Sequence, residues 1–150
     1  MSVEGLVFIV LVVTTIYNLG VQAYIHFEAY PLLSSVGKTE FPAYLKAYED
    51  HLTIPLLAPY GLTLLSNVIL LFGRPSHLTV LEVIAALVLN LSVSLVTQFV
   101  ASPVYNKVKQ SGEASGPDMA RLMQINMLRL VLSLLAVAVI VVMLWTALNP

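Results

Sequence analysis

No cysteine occurs anywhere in the 150 residues. Disulfides, thiolate nucleophiles, cysteine-held iron–sulfur clusters and thiol relays are therefore excluded. Charge is scarce as well: Asp, Glu, Lys and Arg together make up 10% of the chain, where a soluble domain carries about 25%. The formal net charge is −1 and there is no basic tract, so the clustered cations that displace counterions from nucleic acid are missing. Also missing is the basic opening of a secretory signal. The first residues, Met1-Ser2-Val3-Glu4-Gly5, hold an acid and neither Lys nor Arg, so the first apolar run is expected to be a retained helix.

What is abundant is apolar side chain, 59% of the sequence. So few polar groups cannot cover a water-facing surface, and much of this one must face lipid. Four runs are long enough to cross a hydrocarbon core of about 30 Å, which takes roughly 20 helical residues. They predict helices over residues 5–27, 52–72, 78–101 and 122–147 of a single integral membrane domain. A barrel strand alternates polar and apolar residues, whereas Leu130 to Trp145 is almost continuously apolar. Helices also satisfy every backbone group without water. The expected fold is all-α, a four-helix transmembrane bundle.

The connections differ in character. Gly73-Arg74-Pro75-Ser76-His77 predicts a tight turn, and Lys109 to Asp118 a flexible polar loop in which Asp118 is placed to cap the last helix. Between the first two helices, Phe41, Tyr44, Leu45 and Tyr48 recur at helical spacing with charge opposite. That pattern predicts a short amphipathic helix, Phe41 to Asp50, lying in the membrane interface. Lys38, Lys46, Lys107, Lys109 and Arg121 fall on the side of loops 1 and 3, against Arg74 alone on the other. The asymmetry puts loops 1 and 3 in the cytoplasm and both termini outside.

Polar side chains gather toward that same end. Asn18, Gln22, His26 and Tyr30 step by four along the first helix; Asn90, Ser94, Gln98 and Ser102, with Tyr105 nearby, do so along the third. Asn126, Arg129 and Ser133 share a face of the fourth, and His51 opens the second. Glu82 stands apart, near Arg74 and His77. Polar groups at membrane depth usually face the bundle interior or a wet cavity. Two readings stay open for the set. The amides and hydroxyls can be packing glue between helices, with Arg129 snorkelling to headgroups and Tyr24, Tyr30, Tyr44 and Tyr48 forming an aromatic belt. Alternatively Gln22, His26, Tyr30, His51, Gln98, Tyr105, Asn126 and Arg129 form a polar site. In that site His26 would act as a general base while Arg129 and Asn126 hold an oxyanion, chemistry suited to an apolar phenolic or quinoid substrate. His26 and His51, with Glu49 or Asp50, are the only candidates to ligate haem or a metal, and no metal-motif spacing supports them. Pro55 and Pro59 predict a kink in the second helix.

The run Gln22 to Pro31, then Phe41, Tyr44, Tyr48 and Pro59, then Gln98, Pro103 and Tyr105, then Asn126 with Arg129, resembles a group of small bacterial four-helix membrane proteins. That group is distantly similar to the anthrone-oxygenase-like membrane proteins. Leu45 and Tyr105 stand where its members often carry histidine. The resemblance implies the four-helix fold, the bacterial inner membrane and an oxygenase-like activity. Three function classes are expected: an accessory or structural subunit of a larger membrane complex, a cofactor-independent oxygenase-like enzyme, and a haem- or quinone-binding protein. The lack of a strong catalytic motif in so small a chain puts the first ahead. Its partners would be membrane lipids and other membrane subunits. No resident cofactor or metal is expected beyond that haem or quinone.

Overall fold

The structure is a computed structural model and describes residues 2–114 and 116–149. Four long helices make it up: α1 (Val3–Ser35), α2 (Phe41–Phe72), α3 (Val80–Ser111) and α4 (Pro117–Leu148). Among the described residues there is no strand. Each helix packs against its neighbours in chain order, and α4 closes the ring against α1. Short connections between long helices leave no other arrangement than antiparallel neighbours. All four are long and apolar enough to cross a bilayer.

Every helix is longer at one end than the sequence pattern alone predicts. Thirty-two residues rise about 48 Å, some 18 Å more than a hydrocarbon core. The side chains show where the excess lies. At the end carrying the termini, Phe72, Leu81 and Trp145 are exposed and apolar to the last turn. At the other end, Glu28, Lys46 and Lys107 are exposed and charged. The charged surface that accompanies this excess length lies at the end that holds loops 1 and 3, called here the Lys-rich end.

That extension corrects the expected interfacial helix. Phe41 to Asp50 is not a separate element but the first turns of α2, continuous through Pro55 and Pro59. Its apolar stripe is real: Phe41 and Leu45 are buried in one core cluster with Leu33, Val108 and Met119, and Tyr48 packs against them. A stripe of helical period needs an apolar medium, and here three other helices supply it rather than acyl chains. Only Tyr44 of the four turns outward.

The ends are set by local chemistry. Ser2 Oγ accepts from Gly5 N at 3.2 Å to cap α1. Thr79 and Glu82 form a reciprocal capping box at α3, with Glu82 accepting from Thr79 N at 2.7 Å and Thr79 Oγ1 accepting from Glu82 N at 3.3 Å. Glu82 also accepts from Thr146 Oγ1 of α4 at 3.1 Å, which explains its isolated place in the sequence. Asp118 does not cap α4. Gly116 takes that position at φ 86°, a backbone conformation suited to glycine, and Pro117 follows at the first helical position. Asp118 sits in the first turn, where a carboxylate complements the helix dipole.

Two apolar clusters fill the interior. One, near the termini, gathers Phe8, Leu11, Leu70, Val83, Ile140 and Met143. The other, at the Lys-rich end, includes Ile25, Leu33, Phe41, Val104 and Leu122. Between them along the helices lies a layer of buried polar side chains.

A buried polar layer around Arg129

Asn126, Arg129 and Ser133 step by three and four along α4 and all three are buried, as their spacing requires. Arg129 is only 3% exposed. Side chains lean toward the N-terminus of their helix, so Arg129 reaches toward the Lys-rich end while staying inside the bundle. Its guanidinium lies beside the hydroxyls of Tyr30 and Tyr60. Its Nε has no hydrogen-bond partner among the described residues, and the ion pairs found among them join Lys38 to Glu113, Lys46 to Asp50 and Lys109 to Glu49. A guanidinium stays protonated in proteins. This one is a fixed, enclosed positive charge facing phenols rather than a carboxylate.

Around it a lattice of hydrogen bonds ties the helices together. Gln22 Nε2 donates to the Tyr60 hydroxyl at 2.6 Å. Asn18 Nδ2 donates to Thr63 Oγ1 at 2.9 Å. Asn126 Nδ2 donates to the Gln22 backbone carbonyl at 3.2 Å. The carbonyl oxygens of Asn18, Gln22, Asn67 and Asn126 side chains are buried without a partner among the described residues. Since Gln22 supplies the proton to Tyr60, the tyrosine's own hydroxyl hydrogen is free to turn toward an acceptor.

The sequence rows fare differently. In α1, Asn18, Gln22 and Tyr30 are buried and His26 is half-buried. The cause is the π-helical turn Ile25–Ala29. Its extra residue lets Tyr30 take roughly the place that seven residues past Gln22 would hold in a regular helix. His26 packs its ring edge-on to Phe27 at 4.9 Å, and its Nδ1 is buried without a partner. In α3 only Asn90 of the row is buried; Ser94, Ser102 and Tyr105 are half-buried and Gln98 is exposed. A four-residue step advances about 40° beyond a full turn, so the row winds away from the interior. His51 is exposed, with Nδ1 2.8 Å from the Ala47 carbonyl oxygen. Among the described residues no group of three His, Asp or Glu is gathered to hold a metal. Tyr105 donates to Glu49 at 3.3 Å, and Lys109 donates to the same carboxylate at 2.7 Å.

Tyr60, Thr63 and Asn67 belong to the layer and escape a reading of the sequence centred on the helix ends. Their spacing of three and four places them on one face of α2, and that was the available signal.

Three concavities meet at Leu56 of α2. A groove of about 670 Å³ at the Lys-rich end is lined by Tyr48, Glu49, Leu56 and Tyr105. A second, about 330 Å³, runs between α1 and α2 past Tyr17, Tyr24 and Pro55. A third, about 220 Å³, is a slot between α2 and α3 lined by Leu56, Leu57, Tyr60, Ser94, Thr97 and Gln98. Compared with known proteins, the chain matches no family model, no curated protein and no solved structure.

Proposed function

We propose that the chain is a small accessory subunit of a membrane complex, and that its own contribution is to hold the acceptor oxygen of an apolar ligand at Arg129. The observation that carries this is the buried guanidinium without a carboxylate partner. Enclosing an unpaired charge costs several kcal/mol. A role confined to packing would be served as well by Leu or Met. Carboxylate, phenolate and quinone oxygens all suit a planar fork of donors flanked by two phenols. The subunit part of the reading draws on the Lys-rich extension, a mixed-charge surface offered outside hydrocarbon. The placement we propose is a bacterial inner membrane with that extension in the cytoplasm.

The test is purification in mild detergent, with native mass, an absorption spectrum and mass spectrometry of organic extracts. The expected result is a small apolar molecule, with partner subunits in the native mass. Arg129→Lys should lose the molecule while still inserting, because Lys keeps the charge and loses the fork. Full retention in Arg129→Lys would count against the site.

A second reading, an oxygenase-like enzyme for a phenolic or quinoid substrate, draws on the unpartnered Nδ1 of His26 as a base. It predicts oxygen consumption with such a substrate that His26→Gln abolishes and Arg129→Lys reduces.

A further inference from the structure

We infer that the ligand reaches Arg129 sideways from the bilayer, between α2 and α3, and that it is a single-chain lipid ending in a carboxylate. The inference rests on the reading of Arg129 given above and adds to it a route and a chemical class. Tyr60 is the key to the route. It forms part of the wall of the slot between α2 and α3, while its hydroxyl meets Gln22 and lies beside Arg129. One side chain thus separates a lipid-facing slot from the buried cation. Turning it about χ1 breaks the contact with Gln22 and opens the slot toward the guanidinium.

Both walls are irregular at this level. On α2, Pro55 and Pro59 lack the N–H groups that would bind the carbonyls four residues before them. On α3, the π turn Thr97–Ala101 interrupts the regular ladder, a feature often found at functional sites. At the lip of the slot, the Gln98 amide is exposed on a spanning helix.

Charge decides the class. A neutral head leaves Arg129 unbalanced, whereas a carboxylate neutralises it and accepts from two guanidinium N–H groups at once. Depth agrees. Arg129 lies 19 residues before Leu148, the end of α4, hence about 28 Å from the outer end of the bundle. That is close to the far boundary of a 30 Å hydrocarbon core, the level at which a fatty acid holds its head. The slot, at about 220 Å³, has room for the head-proximal part of one acyl chain against Leu56 and Leu57, with Tyr60, Ser94, Thr97 and Gln98 on its remaining wall.

The experiment uses the full chain in phosphatidylcholine nanodiscs, with radiolabelled palmitate and methyl palmitate as probes. Palmitate should bind saturably. The methyl ester, and palmitate on Arg129→Gln, should bind ~tenfold or more weakly, the loss expected when a charge-assisted contact is removed. Leu57→Trp and Ser94→Trp fill the slot and should weaken palmitate by a similar factor. Thermal unfolding checks that each variant is folded, and Gln98→Trp at the lip replaces any that is not. If Arg129→Gln loses palmitate while the slot variants bind like the parent, the sideways route is overturned and the Arg129 reading stands. If the methyl ester binds as tightly as palmitate, the carboxylate class is overturned. If palmitate does not bind the parent, this inference fails, and the extracted ligand of the preceding test judges Arg129 by itself.

Discussion

Arg129 is held where a polar side chain is least expected, and its neighbours are tyrosines rather than acids. Two of the sequence expectations meet here. The side chain does reach toward the Lys-rich end, as a snorkelling residue would, but it does so inside the bundle. Replacing a buried charge by an apolar residue of similar size is often neutral or stabilising. Arg129→Leu is therefore expected to raise the thermal midpoint of ligand-free protein, or leave it unchanged, and to abolish stabilisation by added ligand. A thermal scan with and without ligand checks both; a variant destabilised by several degrees would mark Arg129 as a packing residue. The Gln22–Tyr60 bond is the second residue-level test. A cycle of Gln22→Leu, Tyr60→Phe and the double variant should give a coupling of about 0.5–1.5 kcal/mol, typical of a buried hydrogen bond and toward its low end in membranes. Zero coupling in detergent unfolding would show that the two side chains do not meet.

At the scale of the element, α2 carries the largest departure from the sequence pattern. The stripe of Phe41, Tyr44, Leu45 and Tyr48 was legible, yet its period is the same against acyl chains or against helices. Spin labels at Ala43 and Leu71 distinguish the two. In a continuous helix their 28-residue separation gives about 42 Å, whereas a segment bent flat along the interface brings them to about 31 Å. A pulsed-resonance distance near the shorter value would refute the long helix. The capping box of α3 was also legible, since Thr79-Val80-Leu81-Glu82 has the required spacing. Thr79→Ala should cost about 1 kcal/mol, read as a lowered unfolding midpoint; no change would mean that the box contributes nothing in the membrane.

For the whole molecule, the arrangement is a polar layer between two apolar plugs, continued at one end by an extension with charge on its surface. The Lys and Arg asymmetry is the ground for the proposal above that this extension faces the cytoplasm. Because the chain has no cysteine, single thiols report on orientation directly. A cysteine at Ser111 should resist an impermeant reagent in intact cells, and one at Ser76 should react. The reverse pattern would invert the bundle without altering its interior.

Four helices, their alternating directions and the concentration of polar side chains toward one end follow from the sequence itself. They depend only on the length of apolar runs, on the helical period and on which end of each run is charged. The partners of those side chains do not. Gln22 finds Tyr60, 38 residues away, and Arg129 finds Tyr30 and Tyr60, because each helix is rotated about its axis to the one angle that all its neighbours accept. The π turn in α1 shifts that rotation midway, carrying Tyr30 inward while His26 stays at the edge, and the four-residue step of the α3 row winds Gln98 outward. Such rotations are set by packing among distant segments, so the tertiary structure alone decides which residues of a polar row become a site.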